Sequence, residues 1–364
     1  MNLPATMHAV HLTGHGGFEK LDYRSDVSVP TPGPTEVLVA VGAAGVNNTD
    51  VNTRIGWYSK SVSSGTESGG EAGFDDSVTE DGGWAGEGLT FPRTQGADAA
   101  GTIVAVGAEV DDSRIGERVM IRTMQEPLPG GNGVCITMGS EIDGGFAQFC
   151  AVRQTEAFPI DSPLTDVELA SFPCAYSTAE GMLHRVGLAS GERVLITGAS
   201  GGVGSAAIQL AARRGAHVVA VASQAKWAQM DGLGANQLID RGADLVAEFG
   251  ANSFDVVVDV VAGPTWPVLL DLLVLRGRYV CAGAIAGPLV ELDVRTLYLK
   301  DLTVMGCTYQ PREVFENLIG YIENGEISPV VSKTYPLADI VTAQQDFLAK
   351  TYAGKLVLIP PTTG

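Results

Sequence analysis

The sequence predicts an α/β protein whose second half is a doubly wound parallel sheet. Two observations carry this. From about residue 190, short β-branched runs alternate with helix-length segments: RVLITG (193–198), HVVAVA (217–222), FDVVVDVV (254–261) and RYVCAG (278–283). Strands spaced by such segments build βαβ units. The first of these runs also leads straight into a glycine turn, ASGGVG (199–204), which opens the helical stretch VGSAAIQLAARRG (203–215).

Residues 1–58 read as short strands and turns, with a valine-rich strand in EVLVAVGAAGVN (36–47) after the turn-former PTPGPT (30–35). Residues 59–90 break that pattern. Seven acids (Glu67, Glu71, Asp75, Asp76, Glu80, Asp81, Glu87) face one base, Lys60, among eight glycines. Such a stretch reads either as a mobile surface insertion or as a lid over a substrate, anchored by Trp57, Phe74 or Trp84. Strand signals return in GTIVAVGAEV (101–110), GERVMIRT (116–123) and DGGFAQFCAV (143–152). The tail predicts one helix, LADIVTAQQDFLAK (337–350), and one closing strand, GKLVLIP (354–360).

At 364 residues, 45% of them hydrophobic and 18% charged, the chain is long enough for two packed domains and is not compositionally disordered. Its net charge of −19 opposes nucleic-acid partners and acidic membrane surfaces. The richest apolar stretch, PTWPVLLDLLVL (264–275), is interrupted by Asp271, so no membrane span is expected. Five cysteines (Cys135, Cys150, Cys174, Cys281, Cys307) without CxxC spacing, and an N-terminus without a basic-then-apolar leader, predict a reduced, cytoplasmic protein.

The glycine turn has the strand–turn–helix context that a dinucleotide needs. Ala199 and Gly201 shape the turn, and Gly201 lets backbone approach a pyrophosphate without a Cβ in the way. Gly204 lets the helix pack against the strand. The N–H groups of Gly202 and Val203, with the helix dipole, favour a dianion. An NAD site needs an acid about 20 residues beyond the turn. Here Ala222 stands in that place, and no acid follows until Asp231. Ser223 and Lys226 can instead meet a 2′-phosphate, with Arg241 as a second cation, so the expected cofactor is NADP(H).

With these residues in hand, the chain resembles the medium-chain dehydrogenase/reductase superfamily. The matching pieces are GVNNTD (45–50), TQGADAAGTIVAVGAEV (94–110), GERV (116–119), DGGFAQF (143–149), AYSTAEG (175–181) and GASGGVG (198–204), in the family's order. The resemblance implies a GroES-like β-barrel catalytic domain plus a Rossmann cofactor domain, with the active site in the cleft between them. The implied division is 1–170 for the barrel, 59–90 being its insertion, 171–308 for the Rossmann domain, and 309–364 returning to the barrel.

The resemblance also separates zinc from zinc-free branches. Where zinc-binding relatives carry a cysteine and a Gly-His-Glu, this sequence has Asn47 and Gly96, Ala97, Asp98; only Cys174 keeps its type. The stretch matching the structural-zinc lobe, 120–150, holds only Cys135 and Cys150. One thiol cannot hold Zn²⁺, and the five histidines (His8, His11, His15, His184, His217) show no ligand-like spacing. No metal is therefore expected, and Cys174 reads as a small core residue or a free thiol near the nicotinamide.

The zinc-free branch implies direct hydride transfer from NADPH to a quinone or α,β-unsaturated carbonyl. Candidate catalytic residues are Asn47, as an amide donor to the substrate oxygen, Thr49, Asp50 and Tyr58. Asp50 could instead cap a helix, and Tyr58 could simply pack. Thr178, Gly283 and Ala284 fall at the nicotinamide end. Asn52 departs from the tyrosine usual in zinc-free relatives. An enoyl-thioester reductase and a cofactor-binding protein with little turnover remain as other readings. A homodimer is implied, with LTVMGC (302–307) as the strand that would pair across it.

Overall fold

The long valine-rich strand is the spine of the first half. The computed structural model describes residues 3–74, 80–127 and 135–362. A hairpin of β1 (Thr6–Leu12) and β2 (Leu21–Ser28) precedes β3 (Glu36–Val46). α1 (Asn48–Ile55) follows, and α2 (Thr66–Gly69) forms within the acidic insertion. Then come β4 (Ala100–Val106), β5 (Arg118–Ile121), β6 (Phe149–Arg153) and β7 (Ala157–Pro159). β3 pairs with β4 on one edge and β6 on the other. The curled sheet buries Val37, Val39, Val41, Ile103, Val119 and Ile121 in one cluster. The alternation of β3 thus sends one set of valines inward, as a period of two requires.

α3 (Pro173–Arg185) opens the second half. It is followed by β8 (Arg193–Ile196), α4 (Gly202–Arg213), β9 (His217–Val221), β10 (Gln237–Ile239), β11 (Phe254–Asp259), β12 (Leu273–Cys281) and β13 (Thr303–Gly306). The six strands are parallel in the order β10-β9-β8-β11-β12-β13. The order reverses between β8 and β11, which opens a crevice at their carboxyl ends. Both faces are covered, which is why these strands are apolar throughout. Val194, Ile196, Val218, Ala220, Val256 and Val258 pack under α3 and α4. Leu195, Val219 and Val257 pack on the other side, with Trp266 and Leu269.

The chain's return to the barrel comes later than residue 309. α5 (Arg312–Glu323) packs on α3 and buries Phe315, Leu318 and Ile322 in the core of the parallel-sheet half. The return begins with β14 (Val331–Pro336), continues through α6 (Ile340–Leu348) and ends with β15 (Lys355–Ile359). β15 lies antiparallel to the last residues of β3, pairing Leu356 with Val46 and Leu358 with Ala44. This architecture is the GroES-like domain plus Rossmann-type parallel sheet implied above. Among the described residues no helix is long and apolar enough to cross a membrane.

Candidate functional site

The glycine turn shows two glycines with different jobs. A Cβ on Gly204 would lie 2.3 Å from the Gly198 carbonyl oxygen and 2.5 Å from the Ala199 Cα, so close packing demands glycine there. A Cβ on Gly201 would meet nothing nearer than 3.4 Å, so the protein leaves that space open. α4 starts at Gly202 without a side-chain cap. The first N–H groups of Gly202, Val203 and Gly204 have no intrahelical partner. Ala199 is buried and donates its N–H to the Val221 carbonyl at 3.1 Å, tying the turn to the end of β9. An open backbone beside an uncapped helix end fits a pyrophosphate.

Beyond β9 the chain passes buried Ala222 and half-buried Ser223 into a short 3₁₀ turn carrying Lys226. The Lys226 ammonium donates to the Tyr352 carbonyl at 2.9 Å. Burial, then the nearby Arg241 guanidinium, pulls its pKa down. A third cation, Lys350, escaped the sequence reading. It sits at the C-terminal end of α6 with φ at 52°, and burial pulls it down to about 8, with Lys226 adding to the effect and Glu67 of the insertion opposing it. Lys226 and Arg241, from neighbouring segments, and Lys350, from the C-terminal part of the chain, thus share one corner, and no acid stands at position 222. Of the neighbouring acids, Asp240 spends its carboxylate on the N–H groups of Gln224 and Gly242. The corner fits a phosphate dianion.

The far end of the crevice is knit by Asp259. Its carboxylate accepts from the Val261 N–H at 2.8 Å, the Tyr279 hydroxyl at 2.6 Å, the Ala262 N–H and the Thr197 hydroxyl. Gly283 and Ala284 follow β12 in a half-buried loop, held by Ala286 N–H to Val261 at 2.9 Å and Gly287 N–H to Ala284 at 3.0 Å. Thr178 is buried on α3 within hydrogen-bonding range of the Gln310 amide.

The four candidate catalytic residues divide into two pairs. Asn47 and Asp50 form a capping box at the start of α1. The Asp50 carboxylate accepts the Asn47 N–H at 2.8 Å and the Ala97 N–H at 3.0 Å. Burial, reinforced by the Asp98 carboxylate, pushes it up to about 7 against those hydrogen bonds and Lys355. The Asn47 amide donates to the Gly45 carbonyl at 3.2 Å and to Asp98 at 2.8 Å. Both its hydrogens are committed, which corrects the reading of Asn47 as a donor to substrate. Thr49 and Tyr58 form the second pair: the Tyr58 hydroxyl donates to Thr49 Oγ1 at 3.0 Å. Burial holds the Tyr58 phenol well above its usual range. Its ring packs against Trp57 and Trp84 at centroid distances of 5.7 and 4.7 Å.

These sites lie in sequence segments with known relatives. A family profile described as "Alcohol dehydrogenase GroES-like domain" matches residues 33–162, and one described as "Zinc-binding dehydrogenase" matches residues 202–324. A crystal structure from Sinorhizobium meliloti 1021, its own assignment as an alcohol dehydrogenase provisional, is 47% identical over 99% of this chain and 98% of that one, with a TM-score of 0.88. The chain belongs to the medium-chain dehydrogenase/reductase superfamily. It is 28% identical to a quinone oxidoreductase of Lama guanicoe over 97% of each chain. It is also 28% identical to an acryloyl-coenzyme A reductase of Metallosphaera sedula over 97% of this chain and 99% of that one. The protein is an oxidoreductase of this superfamily, whose members bind a nicotinamide cofactor and act on small molecules.

Asn47, Asp98 and Cys174, which the resemblance sets against the metal-binding segments of zinc-dependent relatives, meet beside a cation of the chain itself. Lys355, buried at 2% exposure, donates to Asn47 Oδ1 at 2.5 Å and Asp98 Oδ2 at 2.8 Å. Asp98 Oδ1 accepts the Cys174 N–H at 2.6 Å. Burial, then the Asp98 carboxylate, pushes the Cys174 thiol far up, so it is a poor thiolate. An amide, a carboxylate already paired with an ammonium, and a neutral thiol do not fit Zn²⁺. Among the described residues no cluster of three or more His, Cys, Asp or Glu side chains could hold a metal.

The acidic insertion is docked, which corrects the reading of it as a mobile excursion for its described parts, 59–74 and 80–90. The Thr66 N–H donates to the Ile285 carbonyl at 3.2 Å, and its hydroxyl donates to Asn52 at 3.0 Å. Fully buried Arg54 donates to the carbonyls of Gly70 at 2.6 Å and Gly16 at 2.9 Å. The Trp57 indole donates to Ser64 at 3.0 Å, the Phe74 N–H to Ile55 at 3.2 Å, and Trp84 packs on Tyr58. α2 therefore spans from the barrel to the loop after β12. Asp75 and Asp76 lie outside the described residues.

Proposed function

We propose that this oxidoreductase uses NADPH to reduce a quinone or an α,β-unsaturated carbonyl without a metal. The observation that carries the reading is the replacement of the metal ligands by the Lys355–Asp98–Asn47 cluster. With no Lewis acid available there, the acceptor must arrive already polarised by conjugation. The convergence of Lys226, Arg241 and Lys350 supports the phosphorylated coenzyme.

In this reading the N–H groups of Gly202, Val203 and Gly204 bind the pyrophosphate, with Gly201 and Ala199 shaping its cradle. Ser223, Lys226, Arg241 and Lys350 take the 2′-phosphate. Thr178 and the backbone of Gly283 and Ala284 orient the nicotinamide end. Bound there, the coenzyme supplies a hydride from C4 to the electrophilic carbon. The Thr49 hydroxyl, having accepted from Tyr58, keeps its own hydrogen for the acceptor oxygen. Asn47 and Asp50 hold the α1 terminus that carries Thr49. Trp57, Tyr58 and Trp84 exclude water and offer flat faces to a conjugated acceptor.

The likeness to an acryloyl-coenzyme A reductase favours one second reading, an enoyl-thioester reductase with the same hydride chemistry. The acidic insertion beside the cleft opposes the phosphates of a coenzyme A handle. The protein is also proposed to be a homodimer through β13. That strand is an edge of the parallel sheet, Val304 on it is exposed, and Leu275, Tyr298 and Leu299 are exposed on the strand beside it and the helix before it. The test is NADPH and NADH oxidation against a panel of quinones, enones and enoyl thioesters, with metal content measured on the same sample. Turnover with NADPH and quinones or enones, in metal-free protein, is the expected result. Binding without turnover on every acceptor, or stoichiometric zinc, overturns it.

A further inference from the structure

Lys355 stands where three helix starts meet. Its neighbour Gly354 donates its N–H to the Ser200 carbonyl in the glycine turn at 2.9 Å. Its stem then passes so near the start of α4 that a Cβ on Gly202 would lie 2.9 Å from Lys355 Cδ. On the other side a Cβ on Gly45 would lie 3.0 Å from Lys355 Cε. The ammonium ends on Asn47, which caps α1, and on Asp98, whose other oxygen holds the Cys174 N–H near the start of α3. α1 carries Thr49, α3 carries Thr178, and α4 presents the amides for the pyrophosphate. No other cation reaches this cluster through a described hydrogen bond or ion pair.

We propose that Lys355 is a positioning residue, the fixed cation that replaces the metal and sets the distance between the Thr49 hydroxyl and the nicotinamide. It touches neither substrate nor cofactor in this reading; it acts through Asn47 and Asp98. The geometry explains why Gly202 is glycine, since Lys355 Cδ is the nearest atom to a Cβ there, and Lys355 shares the crowding at Gly45 with Asp98 Oδ2 and the Ala170 carbonyl. It also explains why Asn47 spends its whole amide inside the protein. The inference rests on the reductase reading, but part of its test does not need turnover.

Lys355→Met alone leaves the Asp98 carboxylate buried without a counter-ion, which is strongly destabilising. The decisive variant is therefore Lys355→Met with Asp98→Asn. It removes both charges, and the freed Asn47 amide can flip to meet the new amide. The double variant should fold and melt cooperatively, and bind NADPH by calorimetry within about threefold of the parent. A misplacement of about 1 Å should lower kcat about tenfold or more, with little change in coenzyme KM. The deuterium isotope effect from C4-deuterated NADPH should become fully expressed on kcat. The fluorescence enhancement of bound NADPH should also fall, because its nicotinamide is no longer held. Recovery of kcat to within about twofold would show that Lys355 only balances Asp98. Loss of NADPH binding in step with kcat would show a coenzyme contact instead. If the parent turned over no acceptor, the reductase reading would fail, and the fluorescence of the two proteins would still decide the role of Lys355: unchanged enhancement overturns it. If that double variant failed to fold, Lys355→Gln with Asp98→Asn, which also removes both charges but keeps a hydrogen-bonding side chain, decides in the same way by the same fluorescence.

Discussion

Two helices begin at the same cleft and end their backbones differently. α1 is closed: Asn47 and Asp50 cap one another, and the Ala97 N–H fills the remaining carboxylate oxygen. α4 is open: Gly201 offers no side chain, and the space over it is empty of protein atoms to 3.4 Å. A helix start whose donors are satisfied internally holds its neighbours in place. One left unsatisfied at a crevice is a site for an anion. Polarity alone does not separate the two roles: the residues richest in functional groups, Asn47 and Asp50, serve structure, and the barest turn is the one available to a ligand.

The largest effect that would break this contrast comes from the glycines. Gly204→Val forces a side chain into backbone 2.3 Å away and should cost about 3 kcal/mol of stability, read as a lowered urea midpoint. Gly201→Ala meets only ordinary contacts and should leave the midpoint within about 1 kcal/mol. Its NADPH affinity should nevertheless fall about tenfold or more, since a methyl group intrudes on the pyrophosphate. A Gly201→Ala protein that binds NADPH normally would remove the open-turn argument.

The closed helix sharpens next. If Thr49 is the last hydroxyl of the Tyr58–Thr49 pair, Thr49→Val should lower kcat about a hundredfold. Tyr58→Phe removes only the supporting donor and should lower it roughly tenfold, about 1.4 kcal/mol. Equal losses in both, or no loss in Thr49→Val, would show that neither hydroxyl serves the acceptor oxygen.

The same contrast explains what could be read in advance. The parallel sheet, the glycine turn and the absence of an acid after β9 were legible because each is a local pattern: a strand, a turn and a helix within about 30 residues. The cation corner was half legible. Lys226 and Arg241 lie near the turn in sequence, whereas Lys350 arrives from the C-terminal helix. Lys355 was illegible for the same reason, being 308 positions from the Asn47 oxygen it donates to. Beside Gly354 at the start of a closing strand it reads as an ordinary surface lysine. The insertion misled in the other direction. Its acids and glycines suggest mobility, but the residues that dock it are Arg54, Thr66 and Trp57, and the first is buried by partners from three separate segments.

The cation corner makes a finer prediction about coenzyme choice. Lys226→Ala and Lys350→Ala should each weaken NADPH by about 1–2 kcal/mol, roughly tenfold, and leave NADH nearly unchanged. Titration binding with both coenzymes checks this; equal losses for the two would place neither lysine on the 2′-phosphate.

The smallest effect concerns pH. Lys350 is lowered from 10.5 to about 8 by its buried surroundings, so its charge is lost as pH rises through about 8 in the free protein. Between about 8 and 10.5 the unfolded chain binds more protons at this residue than the folded one, so rising pH favours folding there. Coenzyme binding runs the opposite way: a phosphate dianion needs the protonated amine, and restoring that proton above pH 8 costs affinity. NADPH affinity should therefore weaken a few-fold between pH 7.5 and about 9, with proton uptake on binding measurable in buffers of different ionisation heat. NADH, lacking the 2′-phosphate, should show little change over that range, and Lys350→Ala should flatten the NADPH profile toward it. A pH dependence shared equally by both coenzymes would assign the titration elsewhere and leave Lys350 outside the phosphate corner.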